Sequence, residues 1–256
     1  MISRLRWRYR RTTYLLRRVI GSVALRGVRG TWQRATQEFR RRPAVDASLR
    51  LLPVDGDASG LALRPCAEPR VSVIIPVHGE LAYTMTCLRS LMQCAGDTAV
   101  EVLVVDDASP DRSAQVLAEI PGLRLLVNSR NLGFVESCNA GATAARGEFL
   151  LFLNNDTQLT PGWLDALLRC FAERADCGIA GSRLLYPDGR LQEAGALVFA
   201  DGSCWTTGRF EPRDDPAYRY RREVDYVSGA ALMIRKDTFE RVGGFDPRYA
   251  PAYYED

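Results

Sequence analysis

Residues Gly147-Glu148-Phe149-Leu150-Leu151-Phe152-Leu153-Asn154-Asn155-Asp156-Thr157 decide the fold. Phe149 to Leu153 is an unbroken apolar run, too short for a helix and bounded by polar residues. That is the pattern of a central parallel strand covered on both faces. The strand stops on a carboxylate. In open α/β sheets ligands sit at the carboxyl ends of the strands, so Asn154, Asn155 and Asp156 mark where chemistry is expected.

Upstream, the same kind of strand recurs. Val71 to Val77 (VSVIIPV) carries Pro76 at its end, where no ladder donor is required. Val100 to Val105 (VEVLVV) runs into Asp106-Asp107-Ala108-Ser109, and Leu123 to Val127 runs into Asn128-Ser129-Arg130-Asn131-Leu132-Gly133-Phe134. Between them the spacing predicts helices over Glu80 to Cys94, where Leu81, Met85, Leu88 and Met92 recur, over Pro110 to Ile120, and from Phe134 to about Ala145. After the organising strand, Thr160 reads as the cap of a helix with Pro161 at its first position, carrying Trp163, Leu164, Leu167, Leu168 and Phe171. This alternation predicts an α/β fold with a mostly parallel sheet and helices on both faces. Right-handed crossovers bring three polar strand ends, His78 to Glu80, Asp106 to Ser109 and Asn154 to Asp156, onto one rim.

Beyond Cys177 the pattern changes. Gly178 to Leu185 and Ala194 to Phe199 read as strands, Asp201 to Tyr220 as polar and turn-rich, and Val224 to Ile234 as a buried strand interrupted at Ser228-Gly229. Lys236 to Val242 reads as a short helix before Gly243-Gly244-Phe245-Asp246. The sequence closes on Tyr253-Tyr254-Glu255-Asp256, and an acidic pair ending a packed body points to a natural chain that continues.

The 256 residues carry a net charge of +3, unevenly spread. Residues 1 to 42 hold thirteen arginines and one acid, Glu38, so a basic arm precedes an acidic body. Leu16, Val19, Ile20 and Val23 fall on one helical face of this arm. Its reading is an amphipathic helix on an anionic membrane surface, where about five engaged arginines contribute roughly 5 kcal/mol. Packing against a protein is the competing reading. No aromatic platform or nucleic-acid module supports a nucleic-acid partner. Residues 43 to 69, with Pro43, Pro53, Gly56, Gly60 and Pro65, read as a linker or irregular lead-in, leaving 70 to 256 as the body. Seven scattered cysteines without a CxxC pair, and a single histidine, His78, argue against a zinc site and a disulfide framework and fit a reducing cytoplasmic compartment. No apolar run approaches the roughly 18 residues of a membrane span. The short patch Val19 to Leu25 is followed at once by Arg26, which disfavours a signal peptide.

An end-of-strand aspartate suits Mg²⁺ or Mn²⁺ carried by a nucleoside diphosphate, because Mg²⁺ is usually held by one or two carboxylates plus phosphate oxygens. Asp156, preceded by two neutral asparagines, would supply one carboxylate; the plainer reading is a solvated turn residue. Asp106-Asp107 reads either as a loop and helix-cap signal, with Ser109 or Asp107 as the cap, or as a carboxylate accepting a base N–H, which favours uracil or thymine. Arg130 is a phosphate contact or a surface residue, and His78 a loop contact.

Taken in order and spacing, these residues resemble family 2 glycosyltransferases of the GT-A fold. The pieces are Val71–Val77 with Glu80, Val104-Val105-Asp106-Asp107-Ala108-Ser109, Asn131-Leu132-Gly133-Phe134 with Asn139-Ala140-Gly141, Phe152 to Thr157, and Gly243-Gly244-Phe245-Asp246 ahead of Glu255-Asp256. The resemblance covers about residues 70 to 256 and is nearest to bacterial rhamnosyltransferase-like enzymes of surface polysaccharide. It implies that Pro76, Val77 and Glu80 line the nucleotide pocket with Arg130, Asn131, Gly133, Asn139 and Asn155. Asp106 or Asp107 would bind the base. Asn154 and Asp156 stand at the family's DxD motif, with Asp156 as metal ligand, and Glu255-Asp256 at the pair that supplies the catalytic base, Asp256 favoured. Asn154 replaces the first carboxylate of a full DxD, and His78-Gly79 replaces the usual aromatic-Asn. The implied reaction is inverting, metal-dependent transfer from a UDP or dTDP sugar to a saccharide or lipid-linked acceptor. Two other classes remain: an inactive nucleotide-sugar-binding or membrane-adaptor fragment, and a sugar nucleotidyltransferase. A Rossmann dehydrogenase is disfavoured because no GxGxxG follows Val71 to Val77.

Overall fold

The computed structural model describes Val28, residues 46–94 and residues 96–250. Apart from Val28, the basic arm lies outside the described residues, as does the Glu255-Asp256 pair.

Six strands form the central sheet: β1 (Val71–Val77), β2 (Val100–Asp106), β3 (Leu123–Val127), β4 (Phe149–Leu153), β5 (Ile179–Gly181) and β10 (Ala231–Arg235). Their order is β3-β2-β1-β4-β10-β5. The first four are mutually parallel, with Val77 opposite Asp106, Asp106 opposite Val127 and Ile74 opposite Phe152. β10 runs antiparallel to β4 and to β5. Four short strands, β6 (Leu184–Leu185), β7 (Leu191–Glu193), β8 (Ala196–Val198) and β9 (Cys204–Thr206), pair as two separate hairpins.

β4 is buried along its whole length because both faces are covered. Phe149, Leu151 and Leu153 join the core beneath α1 (Leu81–Cys94), α2 (Ser113–Ala118) and α4 (Trp163–Glu173). Leu150 and Phe152 join the opposite core beneath α3 (Phe134–Ala144) and α5 (Lys236–Val242). Each such side chain contributes about 1.5–3 kcal/mol on burial. A period-2 element buried on both sides therefore reads as one apolar run. Gly147 lets the chain enter β4: a Cβ there would stand 2.7 Å from the Ser72 nitrogen.

Several elements differ from their sequence reading. The helix expected over Pro110 to Ile120 is only Ser113–Ala118, because the Asp111 carboxylate accepts from the Ser113 N–H and hydroxyl and turns the chain first. Thr160 does not cap α4 with its side chain. Residues Thr160 to Trp163 close a turn through the Trp163 N–H and Thr160 C=O, and the helix starts at Trp163 behind Gly162. The strand expected from Val224 shrinks to Ala231–Arg235, because Ser228 closes a turn with Ala231 and its N–H is taken by Glu193. Residues 46–69 hold one short 3-10 turn, Ala47–Leu49, and otherwise run irregularly, but they are no free linker. Leu61 and Leu63 are buried in the core, the Leu63 N–H donates to Pro121, and the Gln158 side-chain amide pairs with both backbone groups of Leu52.

Candidate active site

The carboxyl ends of β1, β2 and β4 and the β3–α3 loop form one rim. β1 ends at Val77, which is buried, and its C=O accepts from the Asp107 N–H at 2.7 Å. Successive strand residues face opposite neighbours, so Pro76 turns toward β4, whose pairing with β1 stops at Ile74 and Phe152. The missing donor of Pro76 is thus not needed. Gly79 donates to Ser109 Oγ at 2.7 Å, tying the β1 and β2 tips together. Glu80 takes φ +58° and its C=O accepts from Tyr83, opening α1; its side chain is exposed.

The two aspartates at the end of β2 do different things. Asp106 is 1% exposed; its Oδ2 accepts from the Ser109 N–H, while Oδ1 is buried without a partner among the described residues. An orphaned carboxylate oxygen at a strand end is an acceptor awaiting a donor. Asp107 Oδ1 accepts from Asn128 Nδ2 and the Leu132 N–H, and Oδ2 accepts from the Gly133 N–H, all at 2.7–2.8 Å. Asp107 thereby holds the 128–133 loop, and neither it nor Ser109 caps the following helix. Burial pushes the Asp107 carboxyl up, but bonds from Leu132, Asn128 and Gly133 outweigh this and hold it below the usual carboxylate range.

His78, read as a loop contact, is one. Nδ1 lies 2.8 Å from the Asp107 carbonyl oxygen and donates to it, leaving Nε2 to accept from Asn131 Nδ2 at 3.1 Å. Gly133, with φ +87°, precedes α3. Arg130 is exposed, with no partner among the described residues.

At the end of β4 the Asn154 C=O accepts from the Thr157 hydroxyl at 2.7 Å and its N–H donates to Ala230. The Asn154 amide and the exposed Asp156 carboxylate have no partner among the described residues. Asn155 points back to α1, donating to Thr84 Oγ1 at 3.0 Å. Beneath them the Cys87 thiol, pushed up to about 12 by burial, is an inert packing group. Asn139 is turned away from this rim: its amide donates to the Phe245 C=O at 2.8 Å and accepts from the Phe245 N–H at 3.0 Å. Sequence spacing gave no signal for Thr84, which holds Asn155, or for Ser137, whose hydroxyl accepts from Asn128 Nδ2 at 3.0 Å, because single hydroxyls carry no pattern.

No group of three His, Cys, Asp or Glu side chains converges among the described residues. Asp156 offers a cation one carboxylate, a donor set suited to a divalent ion whose shell is completed by phosphate oxygens.

The family model for glycosyl transferase family 2 matches residues 72–243, which span this whole rim. The chain belongs to glycosyl transferase family 2. Relatives of this family 2 chain include the O-antigen biosynthesis protein RfbC of Myxococcus xanthus, 33% identical over 191 residues, 71% of this chain and 15% of that protein. The N-acetylglucosaminyl-diphospho-decaprenol L-rhamnosyltransferase of Mycobacterium tuberculosis is 30% identical over 189 residues, 64% of this chain and 61% of that protein. The chain thus spans less than two thirds of these relatives. Among solved structures, the mannosyltransferase PcManGT from Pyrobaculum calidifontis, in complex with GDP-Man and Mn²⁺, aligns with a TM-score of 0.52 at 18% identity, covering 92% of this chain and 58% of that chain. That likeness shows the fold: a mixed α/β, Rossmann-like GT-A body with a largely parallel central sheet. No described helix is long and apolar enough to cross a membrane.

Proposed function

We propose that this family 2 chain is an inverting, metal-dependent transferase that moves a sugar from a UDP or dTDP donor to a saccharide or lipid-linked acceptor in surface polysaccharide synthesis. The observation that carries the reading is the rim itself. It holds a buried carboxylate with an unused oxygen, a loop ordered by a second carboxylate, and an unpaired carboxylate at the end of β4.

In this reading one carboxylate of Asp106-Asp107 accepts the ring N–H of uracil or thymine, and Pro76, Val77 and Glu80 wall the nucleotide. Arg130, Asn131 and Gly133 line its phosphate side. Asp156, with Asn154 and Asn155 beside it, would hold Mg²⁺ or Mn²⁺. The bound cation would neutralise charge developing on the leaving diphosphate. Asp256, with Glu255, would take the proton of the attacking acceptor hydroxyl. A single displacement inverts the anomeric centre. Residues 1–42 would hold the body, residues 70–256, at the anionic inner face of the cell membrane. The rhamnosyl and O-antigen relatives support the polysaccharide context.

Asp156 is exposed and makes no hydrogen bond or ion pair among the described residues, so its replacement should leave folding untouched. Calorimetric titration with UDP and dTDP, with and without Mn²⁺, should show metal-dependent binding to the wild type. Asp156→Ala should weaken it at least about tenfold, the loss of one charge-assisted contact of about 1.4 kcal/mol or more. Equal metal-dependent affinity in the variant sinks the assignment of Asp156. A preference for GDP over both pyrimidine nucleotides sinks the donor class, and pyrophosphate release from a nucleoside triphosphate would favour a nucleotidyltransferase.

A further inference from the structure

Gln158 stands just past Asp156, where the turn after β4 meets chain from far upstream. Both ends of its amide go to the backbone of one residue, Leu52. Oε1 accepts from the Leu52 N–H at 2.7 Å, and Nε2 donates to the Leu52 C=O at 3.0 Å. The pairing imitates one rung of a β-ladder. Leu52 precedes residues 72–243, so the clamp comes from outside the stretch that the family model covers.

A clamp is only as firm as what it grips, and the segment around Leu52 is fixed on both sides. Before it, the Asp46 N–H donates to the Pro187 C=O at 2.9 Å, and the Asp46 carboxylate lies 3.3 Å from the Arg213 guanidinium. A Cβ on residue 189 would overlap Asp46 Oδ2, so this close seat requires Gly189, at φ +82°. After it, the Asp55 N–H donates to Thr86 Oγ1 of α1 at 3.2 Å, the Asp57 C=O accepts from Arg89, and Leu61 and Leu63 are buried in the core. Residues 46–63 therefore form a strap laid from the turn between β6 and β7 to α1.

The turn after β4 is pinned on either side of Asp156. Asn155 is tied to Thr84 of α1, and Gln158 to the strap. The exposed Asp156 carboxylate has no such tie among the described residues, so its flanking residues set where its backbone stands.

We infer that Gln158 is a positioning residue for the donor site: clamped to Leu52, it fixes the turn that presents Asp156, and it touches neither cation nor nucleotide. The inference rests on the proposed transferase reading. A turn already ordered adds no ordering cost when metal and diphosphate arrive. A turn that is competent only part of the time weakens the apparent affinity by that fraction.

Gln158→Met keeps the length of the side chain and removes both bonds. Calorimetric affinity for UDP or dTDP in the presence of Mn²⁺ should fall about 3- to 10-fold, less than in Asp156→Ala. Affinity without metal should stay within about twofold of wild type. Coupling is reciprocal, so in the wild type Mn²⁺ with UDP should slow hydrogen exchange of the Leu52 amide at least about threefold. That measurement carries the test if Gln158→Met folds poorly. Unchanged metal-dependent affinity in the folded variant overturns the inference. So does an equal loss with and without metal, which marks a general disturbance, and so does Leu52 exchange that ignores Mn²⁺ and UDP in a wild type that binds them. A wild-type protein that binds neither nucleotide overturns the transferase reading itself, and the inference with it.

Discussion

Ala108 takes φ +53° and Glu80 φ +58°, each just past a strand that ends at the rim. A non-glycine residue in the left-handed region costs about 1–2 kcal/mol, and such strain gathers where surroundings over-determine a functional loop. At Ala108 those surroundings are the Asp107 carboxylate on one side and the Ser109 bonds to Asp106 and Gly79 on the other. Ala108→Gly removes the strain and adds some unfolded-chain entropy. A net gain of about 0.5–1 kcal/mol is expected, a rise of roughly 1–4 °C in thermal midpoint for a body of this size. A lower midpoint in a thermal melt would show that the alanine methyl packs usefully. At this scale the sequence offers pairs of readings and no means of choosing. Asp107 looks like a cap from its neighbours, yet its hydrogen bonds go to Asn128, Leu132 and Gly133. Asn139 sits in a family motif, yet its amide is consumed 106 positions away. Both outcomes depend on partners distant in sequence.

Elements were legible where burial alone sets their limits. β1 and β4 begin and end where the apolar pattern begins and ends. Elements limited by side-chain hydrogen bonds were not: the Asp111–Ser113 bonds delay α2, and the Ser228 turn shortens β10. The antiparallel direction of β10 had no signal, since a strand buried on both faces reads alike in either direction. The packing of α3 on the sheet makes a sharper statement. Gly141 faces β1 and β2, and a Cβ there would overlap Ile74 Cγ2 and stand 3.1 Å from Val105 Cγ2. Both neighbours are branched side chains of fully buried strand residues and cannot swing aside. Gly141→Ala would raise helix propensity on the surface of another protein. Here overpacking should win, with a net loss of about 1–3 kcal/mol in chemical denaturation. An unchanged midpoint would mean that α3 can lift from the sheet at no cost.

Across the whole body, the layout of sheet, helices and rim was legible because it follows from strand order and apolar period. The opposite end of the sheet was not. There Glu101, 3% exposed, joins elements that no local pattern connects. Its carboxylate accepts from the Ser72 hydroxyl of β1, from Arg124 of β3, and from the Arg146 backbone and side chain ahead of β4. Burial pushes this carboxyl up, but the bonds from Ser72, Arg146 and Arg124 outweigh it and hold it below its usual 4.5. A carboxyl depressed in the folded state is ionised more readily there than in the unfolded chain. Its stabilisation is therefore present above about pH 4.5 and is lost as pH falls through the lower folded value. Asp107 acts in the same direction from the rim. Glu101→Gln removes the charge and keeps the shape. Because Arg124 and Arg146 are partly exposed and can return to water, the cost at neutral pH should be about 2–3 kcal/mol. Below pH 4.5 the wild type should lose stability steeply with falling pH and the variant less so, the two curves converging. Denaturation midpoints measured from pH 7 to pH 3 check this. Parallel curves would mean that Glu101 titrates alike in the folded and unfolded chains and that the sheet is held without it.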